Sequence, residues 1–279
     1  MSGKSSLRRA SLCLLYNLLT AGVVFFPQAA QAVDLASHKA IYNIRMKSSQ
    51  TGSQVLDVRG KMLFSLKKSC DGWISDHQFS LNYEYTGSPP LEVKSKFTSF
   101  ETFDAKLLNF SSARTTNGEQ DQELRGLATL TEKTPGESFG IAKFSIPEGL
   151  SFKLKPETLF PAAHTIKLIE DAQKGKKFVN ADIFDGSDDK GPVEMNAVIG
   201  KEICADSTDP LLGQCGWPMR LAIFPNSQSD NQTTSDYEMT MRLLENGVIQ
   251  AMTVDYHNFS VTQELVAIEP LKEDKCGAE

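Results

Sequence analysis

The polar and apolar positions alternate with a period of two over most of the chain. From Trp73 to Tyr85 the odd positions are Trp73, Ser75, His77, Phe79, Leu81, Tyr83 and Tyr85, and the even ones are Ile74, Asp76, Gln78, Ser80, Asn82 and Glu84. Successive side chains of an extended strand point to opposite faces, so this run predicts a strand with one apolar and one wet face. Leu56, Val58, Met62, Phe64 and Leu66 repeat the pattern, as do Leu91, Val93, Phe97 and Phe103 against Glu92, Lys94, Lys96 and Thr98. Asp71-Gly72 and Gly87-Ser88-Pro89-Pro90 mark turns between these runs. Tyr237, Met239, Met241 and Leu243 alternate up to Asn246-Gly247, a two-residue hairpin signal, and Val248, Met252, Val254 and Tyr256 alternate away from it. Val261 to Ile268 predicts a last strand. One-sided strands of this kind belong to antiparallel sheets.

One segment has another period. Leu159, Ala163, Ile166 and Ile169 fall at helical spacing between Pro156 and Lys174. Pro156 suits a first helical turn and Gly175 the position just past the end. Pro161 lies inside this window and moves the start to Phe160 or later. Lys174, Lys176 and Lys177 are expected at the negative end of the helix dipole. The pattern predicts about a dozen strands and one amphipathic helix, curled into a barrel or a strongly bent sheet. No shift in composition marks a linker.

The amino terminus changes the picture. Lys4, Arg8 and Arg9 precede the apolar stretch Leu12 to Phe26, and Ala30-Gln31-Ala32 supplies a small-x-small cleavage site. This order predicts a secretory signal peptide over residues 1–32, cleaved after Ala32. A domain over residues 33–279 would remain. Cleavage removes three basic residues and no acidic one, so the net charge moves from −6 to −9. An acidic chain is poorly suited to nucleic acid, which is bound through Lys and Arg. No other segment is long and apolar enough to span a bilayer as a helix, so the mature protein is expected to be soluble and not an integral membrane protein.

Export also alters the meaning of the cysteines. Cys70, Cys204, Cys215 and Cys276 remain, and four cysteines in an exported chain suggest disulfides with three pairings. The short Cys204–Cys215 loop closes easily, which leaves Cys70 for Cys276. The alternative is four reduced, separately buried thiols. None lies in a C-x-x-C pair.

Few residues suggest chemistry. There is no H-E-x-x-H pair, phosphate loop or dinucleotide fingerprint. No cofactor, metal site or catalytic residue is therefore expected. His38, His77, His164 and His257 are isolated in sequence. Asp185-Gly186-Ser187-Asp188-Asp189-Lys190-Gly191 resembles a cation loop, but its register does not fit an EF-hand, and a turn capped by Asp and Ser side chains is the simpler expectation. Met195, Met219, Met239, Met241 and Met252 fall at inward positions, where methionines suit a pliable apolar cavity or ordinary core filling. Met239, Met241, Met252 and His164 are the candidate cavity residues.

His38-Lys39-Ala40-x-Tyr42, Cys70-Asp71-Gly72, Leu159-Phe160-Pro161-x-x-His164-Thr165, Phe184-Asp185-Gly186-Ser187-Asp188 and Glu245-Asn246-Gly247 occur in that order across nearly the whole mature chain. In this the chain resembles the EipB-like cell-envelope integrity proteins of α-proteobacteria. The resemblance implies a periplasmic protein that folds as an antiparallel β-spiral, an open barrel wrapped round a helix. It implies support of the envelope under stress without enzymatic activity, and a bridge from the early cysteine to the C-terminal one, here Cys70 and Cys276. It also implies a periplasmic tetratricopeptide-repeat protein as partner. The combined expectation is a mainly β chain, one antiparallel β-spiral or open β-barrel of about 12–14 strands with one amphipathic helix.

Two function classes follow. The first is a non-catalytic envelope factor that binds a protein partner or an envelope lipid, lipoprotein or glycan; in a narrower form it is a carrier of lipid or lipoprotein. The second is a hydrolase of envelope polymers, for which Asp185, Asp188, Asp189 and His164 would have to converge.

Overall fold

The computed structural model describes residues 33–131, 140–225 and 234–277; the expected signal peptide and its cleavage site lie outside them. Among the described residues, fifteen strands and one helix follow each other. They are β1 (His38–Ser49), β2 (Val55–Lys68), β3 (Gly72–Tyr85), β4 (Ser88–Thr102), β5 (Leu107–Thr116), β6 (Glu119–Thr129), β7 (Gly140–Ile146) and β8 (Ser151–Leu154). Helix α1 (Pro161–Gln173) comes next, then β9 (Phe178–Ile183), β10 (Val193–Ile199), β11 (Ile203–Cys204), β12 (Cys215–Pro225), β13 (Tyr237–Leu244), β14 (Ile249–Asp255) and β15 (Phe259–Pro270).

All strands join one sheet, in the order β8-β7-β6-β5-β4-β3-β2-β1-β15-β14-β13-β12-β10-β9, with β11 paired beside β12. The named strand pairs are antiparallel, as the one-sided alternation requires. The sheet is open: its two edges are β8 and β9, which are consecutive in sequence. Helix α1 lies in the crossing between them. The short β11 takes the count one beyond the expected range.

Two irregularities move residues off their expected faces. A bulge between Val55 and Asp57 shifts the β2–β3 register. Val55 is therefore buried and Leu56 is 58% exposed, because an extra residue in one strand reverses the faces on one side of it. Phe103 follows the end of β4 and is exposed, edge-on to Trp73. The β13–β14 connection is longer than the two-residue turn that Asn246-Gly247 suggests: Leu244 N donates to Val248 O and Gly247 N to Leu244 O. Asn246 Oδ1 accepts from Val248 N, and Gly247 adopts φ +83°.

Helix α1 starts at Pro161, later than the window opened by Pro156. Its end is as expected: Gly175 at φ +75° donates to Ala172 O, and Lys176 N to Asp171 O, the paired closing bonds of a Schellman motif. Two of the lysines at this end, Lys174 and Lys176, bind side chains. Lys176 and Lys167 hold the buried Asp171, and Lys174 pairs with Glu170. Burial would raise the Asp171 carboxyl, but the two ammonium groups hold it below its usual value.

The inward face of α1 (Ala162, Leu168, Ile169, Ala172) packs into one cluster with Met195, Met219, Leu221 and Met241 from β10, β12 and β13, and with Leu66 and Trp73 from β2 and β3. Phe160 and Phe184, on either side of α1 and β9, pack with Phe110 and Phe144 of β5 and β7. The side of the spiral between the two sheet edges is thus filled by side chains. Among the described residues, main-chain pairing there is limited to the Leu159–Ile183 bridge.

Two disulfides fasten the structure, Cys70–Cys276 and Cys204–Cys215. The first ties the carboxyl-terminal tail to the β2–β3 turn, where Leu271 N also donates to Ser37 O and Lys67 meets Asp274. No helix among the described residues is long and apolar enough to cross a membrane.

Candidate functional site

Inside the curl lies a cavity of about 260 Å³ between the start of α1 and the inner faces of β1–β4, β14 and β15. This exceeds the roughly 150 Å³ that admits a benzene-sized guest and falls just short of the ~300 Å³ of smaller drug-sized pockets. Leu35, Met62, Phe64, Leu66, Phe79, Ile249 and Met252 form apolar walls, with Trp73 beside them. The alternation makes such walls: on strands of one inward parity every second side chain reaches the interior.

The polar lining is sparse and mostly engaged. Glu101, 3% exposed, closes the end of β4. Its two carboxylate oxygens accept from the backbone N–H groups of Ala162 (2.7 Å) and Ala163 (2.8 Å). Phe160 at the N-cap has no capping side chain and Pro161 has no N–H, so Glu101 caps the helix from another strand. Burial pushes its carboxyl up to about 7, against the lowering effect of those two N–H groups. His77 sits between Phe64 and Phe97, with Nε2 3.0 Å from Ser75 Oγ. Burial takes it down to about 4, opposed by the charges of Asp185 and Asp76. Tyr42 donates its hydroxyl to Ile249 O, and Thr165 to Pro161 O. Gln263 is 7% exposed, and its Oε1 has no hydrogen-bond partner.

Of the candidate cavity residues, Met252 lines this space. Met239 and Met241 pack in the adjoining core, and His164 lies elsewhere on α1 with a buried Nε2 that has no hydrogen-bond partner. Burial lowers His164 to about 4. Glu101, Ser75, Ser99 and Gln263 are functional candidates that no local motif marks. Their signal is parity. Each is a polar residue at an inward position of an alternating run, beside Trp73 and Phe79, Phe97, or Val261.

The Asp185–Asp189 segment is a turn. Asp185 Oδ1 accepts from Ser187 N and Asp188 Oδ1 from Lys190 N. Gly186, at φ +72°, lies where a Cβ would fall 2.4 Å from the Phe110 ring. Asp185, Asp188, Asp189 and His164 do not form a metal-spaced group among the described residues. The one such group is Glu202 with Cys204 and Cys215, whose sulfurs are already joined.

A curled antiparallel sheet round a helix defines a β-barrel-like protein. A crystal structure of a beta-barrel-like protein of a domain of unknown function from Brucella abortus matches with a TM-score of 0.79 and 26% identity, over 86% of this chain and 100% of that one. The family model described as EipB-like matches residues 29–272, and the chain belongs to that family. The cell envelope integrity protein EipB of Brucella abortus (strain 2308) is 28% identical over 257 residues, covering 89% of each chain. The family named for envelope integrity thus includes this chain.

Proposed function

We propose that this chain is a periplasmic, non-catalytic factor of cell-envelope integrity that works by binding an envelope lipid or the lipid part of a lipoprotein in its internal cavity. The observation that carries this reading is the apolar space at the start of α1, lined by aromatic and methionine side chains and a few polar groups. Sites with that balance hold small, largely apolar molecules. The two disulfides suit an oxidising compartment. The name of the Brucella relative supports the envelope role. A tetratricopeptide-repeat partner would act through the outer surface and is compatible with a filled cavity.

The test is native mass spectrometry of the protein recovered from the periplasm. An added mass that denaturation releases as an acyl-chain compound is the expected result. Consistently empty protein would overturn the lipid reading. In parallel, loss of the gene should sensitise cells to detergent and cell-wall antibiotics, and amino-terminal sequencing of the recovered protein should begin at Val33.

A further inference from the structure

Glu101 puts a carboxyl group in the wall of an otherwise uncharged cavity. Its place is fixed by one contact whose two partners both line the space: Glu101 itself and Ala162, whose N–H it holds at 2.7 Å. Among the described lining residues there is no Lys or Arg. The other ionisable groups in the wall are His77 of β3 and Tyr42 of β1. Burial keeps the Tyr42 phenol protonated and takes His77 down to about 4, so both are neutral near pH 7. The parts of the wall that come from β2, β14, β15 and α1 add no titratable group.

The charge of the cavity therefore depends on one proton. When Glu101 is ionised, the cavity holds a carboxylate that no cation offsets. The start of α1 would ordinarily attract an anion, but its N–H groups at Ala162 and Ala163 are already taken by Glu101. A second anion in so small a space would lie close to that carboxylate. An effective dielectric constant of about 20 still leaves a strong repulsion at such range. The anion would also give up its hydration without gaining a partner. An uncharged chain meets neither cost.

We infer that the cavity selects its occupant by charge, with Glu101 as the specificity-determining residue: it admits an uncharged hydrocarbon chain and rejects an acidic group. The inference rests on the reading of the cavity as a ligand site. Ester- or amide-linked acyl chains, such as those of a lipoprotein, satisfy this rule; a free fatty-acid anion does not. Burial pushes the Glu101 carboxyl up to about 7. Rejection is therefore strongest above that pH and fades below it, as the carboxyl becomes neutral.

The test uses two probes of equal chain length, hexan-1-ol and hexane-1-sulfonate, with binding read by calorimetry at pH 8.5 and pH 5.5. The sulfonate stays charged at both, so a change with pH belongs to the protein. At pH 8.5 the alcohol should bind at least about tenfold more tightly than the sulfonate. At pH 5.5 that ratio should shrink severalfold. Glu101→Gln should lower the ratio at pH 8.5 toward the wild-type value at pH 5.5 and make it independent of pH. A wild-type ratio near one at pH 8.5, a wild-type ratio that does not change with pH, or a pH-dependent ratio that survives in Glu101→Gln would each overturn the inference and leave the cavity a ligand site. The first two outcomes are read on the wild type alone and do not depend on how the variant folds. If neither probe binds at either pH, both readings fall.

Discussion

Glu101 shows how one side chain can serve both the fold and the cavity. Its carboxyl titrates near 7 in the folded protein against 4.5 unfolded, so the folded state holds the proton more tightly. A raised acid stabilises most below about 4.5, and that contribution is lost as the pH climbs through 7. His77 works in the opposite direction: its lowered value gives stability above 6.5 that is lost as the pH falls toward 4. Glu101→Gln removes only the first effect. Between pH 8 and pH 5 the wild type should gain about 2 kcal/mol relative to this variant in urea unfolding. A difference that does not vary with pH would refute the assignment. Glycines make a second comparison. Gly175 has φ +75° and open space where a Cβ would stand, whereas Gly186 has φ +72° and the Phe110 ring in the way. Gly175→Ala should cost about 1 kcal/mol, and Gly186→Ala clearly more, measured as the shift in thermal midpoint. The inward polar residues were legible in the sequence only as breaks of parity. Nothing local distinguishes Glu101, which caps a helix some sixty residues away, from an ordinary carboxylate at a strand end.

At the scale of elements, the strands were legible because burial on one face imposes a two-residue period that survives any arrangement of the sheet. The irregular places were not. The bulge at Val55–Asp57 depends on how β2 meets β3, and the start of α1 depends on Glu101 as much as on Pro161. The lysines after the helix were expected to act on its dipole, but the carboxylates of Glu170 and Asp171 compete for them at close range. The packing between the sheet edges was also hidden, since Phe110, Phe144, Phe160 and Phe184 come from four separate segments. Phe184 is 1% exposed and stands edge-on to Phe110 and Phe144. Phe184→Ala should cost about 3–5 kcal/mol. Hydrogen exchange should then quicken first in β8 and β9, the two end strands of the sheet order. Uniform quickening over the whole sheet would mean that this seam is not a separate unit.

For the molecule as a whole, the two bridges constrain the unfolded chain very differently. Cys70–Cys276 closes a separation of 206 residues and Cys204–Cys215 one of 11. The loop-entropy argument gives about 5 kcal/mol for the long bridge and about 3 kcal/mol for the short one. Replacing Cys70 and Cys276 together by Ser should leave a folded protein whose urea stability falls by a few kcal/mol. The corresponding pair at Cys204 and Cys215 should lower it less. Equal midpoints for the oxidised wild type and the Cys70, Cys276 double variant would contradict this.

The pairing of β1 with β15 has a consequence in time. Strands β1 to β8 can zip together as neighbours, and so can β9 to β15 among themselves. The bond between the halves waits for the last strand of all. Until then β1 stands with one row of backbone groups unmatched, and Cys70 has Cys204 and Cys215 within reach before its own partner has emerged. Closing the Cys204–Cys215 bridge first, across its separation of 11, would remove those two rivals from circulation. A small local bridge that closed first would thereby guard the fidelity of the large one, a service to assembly that its modest contribution to stability does not reveal.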